Sequence, residues 1–270
     1  MVPRVSSNTS QSLGLRLLIA AGLAAWTLSS AAADTPLFSR PLHLTREVSD
    51  SISQRTSTIE EYCEGNRVIS IRGAKTIVAD YGQQTITTID RTLGTYSVAR
   101  FDQVASPAVA AGSKSASAWR VRQAGSRDVA ARTTTAFELE QALAGERRVV
   151  RVAATESVIL SRAAVEILIG SAYPSPRREE AETLIAQLKV TSGPAIAAMS
   201  NAMYRLPLEE IFTFEIAGET AETRSTIVRV GNERAPLELA SIPPGARRIE
   251  PESRDLPKLL QELDSLPQRR

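Results

Sequence analysis

The sequence predicts an α+β chain that is mainly β: a curved antiparallel sheet, a β-meander of half-barrel type, with two or three helices packed on one face. Three observations carry this. First, four short β-type runs recur between Arg67 and Phe101, namely Val68–Ile71, Thr76–Asp80, Thr85–Asp90 and Thr95–Ala99, about ten residues apart and each closed by a turn signal. Second, the links Arg-Gly-Ala-Lys, Tyr-Gly-Gln-Gln and Arg-Thr-Leu-Gly are short. Neighbours joined this way run antiparallel, because a parallel return needs a crossover of about a dozen residues or more. Third, after Ser175 the apolar period changes from that of a strand to that of a helix, and from Leu208 it changes back.

Residues 1–33 read as an export signal. Arg4 and Arg16 supply the positive region, Leu17–Leu28 is an unbroken apolar run, and Ser29–Ala33 offers small side chains for cleavage before Asp34. The run is too short to span a hydrocarbon core, which takes about 20 helical residues. The expected organisation is therefore a signal over 1–33, a single β-rich domain over 34–250 with a helical insert at about 175–204, and a short helical tail over 251–270. Cleavage near Ala33–Asp34 places the mature chain in the periplasm or outside the cell, with no membrane span.

Charge excludes one class of partner. Two of the 32 Lys+Arg leave with the signal, so 30 face 30 Asp+Glu. A neutral chain has no long-range field with which to gather nucleic acid. Cys63 is the one cysteine, so it has no internal disulfide partner. Its reading is a buried small hydrophobe, or a free thiol.

In chain order, Leu42, Leu44, Val48 and Ile52 share one parity, which fits one bent strand or two over Leu42–Ile59. Within the meander Ile69 and Ile71 share a face, as do Ile77 and Ala79, and Tyr96 and Val98. Ile86 and Ile89 break the alternation, and a β-bulge between them would restore it. Asp102–Arg132 is rich in Ser, Ala and Gly and reads as a loop with a short strand at Trp119–Arg122. Thr133–Leu143 fits a strand or a helical turn, and Arg147–Leu160 a strand. Ser175-Pro176 opens a helix whose stripe is Ala181, Leu184, Ile185 and Leu188. Val190–Gly193 stops it, and Pro194 starts a second helix through about Tyr204 with Ile196, Met199 and Met203 on one face. Leu208–Ile216 and Ser225–Val230 form a late hairpin. Pro236–Ile242 is extended before the Pro243-Pro244-Gly245 turn, and Arg247–Ile249 is a last short strand. Leucines 256, 259, 260, 263 and 266 stripe the tail.

Several chemistries lack their residues. His43 is the sole histidine, so a histidine-based metal cluster within one chain is excluded, and between Leu42 and Leu44 it reads as a surface strand residue. Gly-x-Ser-x-Gly and the phosphate-cradling glycine patterns are absent. Glu60, Glu61, Glu64, Glu209 and Glu210 read as a solvated face, and so do the arginines at 147, 148, 151, 247 and 248. No cofactor and no catalytic residue is expected, and an enzyme is the least supported class.

The order VISIRG–TIVADYG–TITTID–TYSVARF, inserted helices, LEEIFTFEIAG–STIVRV and SIPPGARRIE resembles the LolA-like exported bacterial half-barrel proteins across roughly Leu42 to Glu250. That resemblance implies a curved sheet whose concave side is plugged by helices, and an apolar cavity between them for a lipid or lipoprotein acyl chain. The expected function is thus a non-enzymatic periplasmic binding or carrier module, its pocket lined by Ile77, Ile86, Tyr96, Ile196, Met199 and Met203. The alternative is a structural or protein-interaction domain of the envelope, with a filled core and no ligand. Partners are then a lipid or lipoprotein in the first case and an envelope protein in the second.

Overall fold

A computed structural model of the chain describes residues 36–52, 54–104, 118–143, 146–172, 178–190, 203–216 and 218–251. The expected signal and cleavage site and the leucine-striped tail lie outside the described residues, as do Ile196, Met199 and most of the helix expected from Pro194.

Alternating apolar and polar residues make strands here because each residue turns its side chain to the face opposite its neighbour's. The N-terminal half contains β1 (Phe38–Asp50), β2 (Arg55–Gly65), β3 (Arg67–Arg72), β4 (Lys75–Asp80), β5 (Thr85–Asp90) and β6 (Thr95–Arg100), followed by the single turn α1 (Phe101–Val104). Next come β7 (Arg120–Val129), β8 (Arg132–Leu143), β9 (Glu146–Leu160), α2 (Arg162–Ala172), α3 (Arg178–Leu188), β10 (Tyr204–Ile216), β11 (Glu219–Gly231), α4 (Leu237–Ala240) and β12 (Arg247–Arg248). Among the described residues these strands form one 12-stranded sheet, curved and unclosed, in the order β12-β6-β5-β4-β3-β2-β1-β11-β10-β9-β8-β7. Every pairing is antiparallel except that of β12 with β6.

The meander stands at the expected positions. Gly73 and Gly94 take φ of 56° and 58° at its tight turns, a conformation that costs other residues a clash at Cβ. In the Tyr81–Gln84 turn the positive φ falls on Gln84, not on the glycine. The turn is held instead by Asp80, whose Oδ1 accepts the N–H of Gln83 at 2.9 Å.

Several expectations are corrected. No bulge separates Ile86 from Ile89: β4, β5 and β6 pair in unbroken register, so the two isoleucines point to opposite faces. Of the two alternatives for Leu42–Ile59, two strands is the one found. The short strand expected at Trp119–Arg122 begins at Arg120 and continues to Val129, and of the two readings of Thr133–Leu143 the strand is the one found. Pro236–Ile242 holds the helical turn α4 in place of an extended run, and Tyr204 opens β10 in place of closing a helix.

Helix α2 is the element that the apolar pattern did not announce. Ser161 caps it: its carbonyl accepts the Val165 N–H at 3.1 Å, and its hydroxyl accepts the Ala164 N–H at 3.2 Å. Its buried stripe is Ala164, Val165, Leu168 and Ile169, and Leu184, Ile185 and Leu188 form that of α3. Val165, Ile169 and the α3 stripe pack on Phe137, Leu139, Val150, Val152 and Ala154 of β8 and β9. Ala164 and Leu168 pack on Leu42, Leu44, Cys63, Val68, Leu206, Leu208 and Ile227. Helices α2 and α3 thus cover mainly the middle and late strands and reach the meander only at Val68 of β3.

Beyond the helices the meander has its own small cluster of Ala79, Ile86 and Phe101, with Ile77 and Tyr81 against it. Its opposite face lies under the segment following β11. There α4 lies against β4, an Arg91 Nη2 donates to the carbonyls of Glu238 and Leu239 at 2.5 and 3.1 Å, and β12 pairs with β6.

Candidate functional site

The described chain concentrates its ionisable chemistry where β1, β2, β10 and β11 meet. Strand parity explains why. Arg46 shares its face with Leu42, Leu44 and Val48, Glu61 with Ile59 and Cys63, and all of these turn toward α2. The result is a charged cluster inside an apolar layer. Arg46 Nε donates to Glu61 Oε2 at 3.0 Å with both side chains 1% exposed, and Arg46 Nη1 donates to Ser225 Oγ at 2.8 Å. Arg46 Nη2 reaches the Leu168 carbonyl at 3.5 Å.

Glu210 lies on the same face, paired across the ladder with Ser225. It is fully buried, and neither carboxyl oxygen has a hydrogen-bond partner. Burial pushes its carboxyl up to about 8; Arg46 pulls it back and Glu61 adds to the rise. For the Arg46 guanidinium, burial acts downward, but Glu61 and Glu210 outweigh it and leave it raised. Cys63 lies beside this cluster as a buried free thiol, pushed well up by burial.

On the other face, His43 is buried, against the expectation of a surface residue. Its ring stacks on Tyr62 with centroids 4.1 Å apart and planes 7° from parallel. Its Nε2 meets Glu60 Oε2 at 2.5 Å and its Nδ1 meets Glu233 Oε2 at 3.2 Å. Both ring nitrogens therefore face carboxylates, and neither is directed at open space. Glu233 also pairs with Arg229 at 2.5 Å. The same face carries columns of opposite charge across β7 to β10: Arg122 and Arg151 both bond Glu138, Arg127 bonds Glu209, and Arg147 bonds Glu140.

Of the residues expected to line a ligand pocket, Ile77 and Ile86 come together, and Tyr96 and Met203 lie apart from them. Ile77 and Ile86 share the inner face of the meander, under Phe101 and Tyr81. Tyr96 is paired with Ile89 and lies on the opposite face. Met203 stands just before β10, where its carbonyl accepts the Val190 N–H at 2.9 Å; β3, β2, β1 and β11 separate β10 from β4. Ile196 and Met199 lie outside the described residues.

Two open clefts flank the other end of the sheet. One, of about 270 Å³, is lined by Gln123, Thr135, Phe137, Gln187, Lys189 and Arg205. The second, of about 560 Å³, runs along Arg132–Thr135 and Ala154–Ser157. Among the described residues no cluster of His, Cys, Asp or Glu has a metal-binding arrangement, and no helix is long and apolar enough to cross a membrane.

The buried acids and Arg46 were missed as functional residues because a charge within an apolar alternation is read as an interruption. The signal that finds them is parity: Arg46 occupies a core position of β1, and Glu61 one of β2.

The fold defines the chain as an open, almost wholly antiparallel sheet with α2 and α3 packed on one face. No protein-family model matches it, and no curated protein does. Similar solved structures include PNGF-II, at 6% identity and a TM-score of 0.35, covering 83% of this chain and 32% of that one. MucB in complex with MucA is similar at 15% identity and 0.36, covering 75% and 54%. A third is an outer membrane lipoprotein-sorting protein domain from Vibrio parahaemolyticus, at 8% and 0.28, covering 71% and 85%. The chain thus spans about a third of the first structure and about half of the second. At this distance the likeness assigns it no activity.

Proposed function

We propose that this chain is an exported protein-interaction domain of the cell envelope that binds an extended segment of its partner along strand β7. The observation that supports this is the edge itself. β7 ends the sheet order, and every residue from Arg120 to Asp128 is exposed. A strand paired on one side only offers a row of N–H and C=O groups to an incoming chain. A bulge at Gly125, with φ of 93°, divides the edge between Gln123 and Ser126. Arg122 and Arg127 are already paired with Glu138 and Glu209 on the sheet, so it is the backbone groups of the edge, more than its charge, that an incoming segment would meet.

The layer under α2 and α3 supports the filled-core reading: it is occupied by large aliphatic side chains and by the Arg46–Glu61 pair, a poor lining for an acyl chain. The test places a photo-crosslinking residue at Gln123, at Ser126 or, as control, at Thr88 on the meander, in cells making the full chain. Adducts concentrated at the two β7 positions are expected. Equal labelling at Thr88 rejects the reading.

The carrier reading rests on the same apolar layer, which becomes a cleft if the helices lift. Extraction of the purified protein with organic solvent decides it: co-purifying lipid in near-stoichiometric amount supports a carrier, and a clean extract argues for the interaction domain.

A further inference from the structure

We propose that Glu210 is a proton-operated latch: while its carboxyl keeps its proton, α2 stays docked on the sheet, and loss of that proton releases α2.

The buried charges here are unequally partnered. Among the described residues Arg46 is the one cation facing Glu210, and its guanidinium is already committed to Glu61, Ser225 and the Leu168 carbonyl. Glu210 receives none of those bonds, and both its oxygens are buried without a partner. A neutral carboxyl tolerates such a place at moderate cost. A carboxylate there makes two anions against one guanidinium in a dry interior, where neither water nor a donor relieves it.

The other groups facing this point do not absorb the change. From β2 come Glu61, held by Arg46, and Cys63, a thiol that burial keeps protonated. From β4's end comes Tyr81, whose hydroxyl burial also pushes up. β11 presents Ser225, and β9 presents Val150 and Val152. α2 presents the Leu168 carbonyl; its charged residues, Arg162 and Glu166, pair with each other at 2.7 Å on its outer side. Glu210 alone changes charge near neutrality, its proton passing to solvent base as water enters. The strands around the cluster are held by backbone ladders, with shifts of register between Thr45 and Arg46 and between Pro207 and Glu209, whereas α2 is held mainly by side-chain packing. α2 is therefore the side that opens.

Amide hydrogen exchange on the full chain between pH 6 and 9.5, corrected for intrinsic exchange rates, tests this. Protection of Val165–Ile169 relative to β9 is expected to fall at least tenfold over that range, and to stay level in Glu210→Gln. The lone thiol gives a second readout: at pH 9, Cys63 should react with a maleimide several-fold faster in the parent than in the variant. Should Glu210→Gln not fold, Glu210→Met takes its place. Unchanged relative protection of α2 in the parent, or an equal loss in the variant, overturns the latch.

Discussion

Arg46 and Glu61 form a hydrogen-bonded ion pair at 3.0 Å with both side chains 1% exposed, in the layer between the central strands and α2. Such a pair is held in place by its own interdependence: desolvation of each ion is offset by the other, so removing one leaves an uncompensated charge. Arg46→Met is expected to destabilise the chain by about 3–5 kcal/mol, since it strands Glu61 beside Glu210. Adding Glu61→Leu should recover at least half of that loss. Urea unfolding of the single and double variants checks this, and a double variant no more stable than Arg46→Met contradicts it.

Much of the fold was legible because it depends on local rules. The meander follows from alternation and turn residues, and the late hairpin from Phe212, Phe214 and Ile216 sharing parity. Helix α2 was not, because Ala163–Ile169 is rich in residues that suit strand and helix alike, and its cap at Ser161 adjoins a strand. The site was less legible for a different reason. A carboxylate on a strand is normally solvated, and only the docking of α2, a tertiary event, turns the faces of Glu61 and Glu210 into an interior. Register also decides where the expected pocket residues lie: the isoleucine pair 86 and 89 invited a bulge, and without one Tyr96 falls on the opposite side of the sheet from Ile77.

Glu210 makes stability depend on pH. Its carboxyl is raised to about 8 in the folded chain, against about 4.3 when unfolded. Between these values the native state holds a proton that the unfolded state has lost. The stabilisation is fully present below the unfolded pKa and declines as pH rises toward 8. The urea midpoint should therefore fall from pH 5 to pH 8.5, and Glu210→Gln should flatten that slope. At pH 8.5 the variant should be the more stable by on the order of 2 kcal/mol. A parent slope unaltered by the substitution refutes the assignment.

His43 and Glu233 tie the segment after β11 to the centre of the sheet. The Glu233 carboxyl is held below its usual range by its own backbone N–H and then by His43 and Arg229. His43→Phe keeps a flat ring for the stack on Tyr62 and removes the hydrogen bond. The Glu233 carboxyl should then titrate at higher pH, read from its side-chain carbon resonance. Gly231 belongs to the same contact: a Cβ there would run into the Glu233 carboxyl. Gly231→Ala should thus displace Glu233 and raise its titration similarly. An unmoved resonance in both variants would mean that His43 makes no such bond.

The turn between β7 and β8 places the exposed edge, and its residues suit it poorly. Val129 pairs with Arg132, leaving a two-residue loop in which Ala130 and Ala131 both take positive φ, 49° and 57°. That is the geometry of a type I′ hairpin turn, which favours Asn-Gly because a Cβ in the left-handed region meets the carbonyl oxygen. Ala131→Gly removes the clash but widens the unfolded ensemble, so the net gain is expected to be about 0.5–1 kcal/mol. Ala130→Asn should add a smaller gain, because asparagine tolerates this conformation through local hydrogen bonds. Both should raise the urea midpoint and slow amide exchange at Asp128–Arg132 while leaving α2 protection unchanged. A lower midpoint for Ala131→Gly would show that the loop does not hold this turn in solution, and the register that presents Arg120–Asp128 as an edge would lose its anchor.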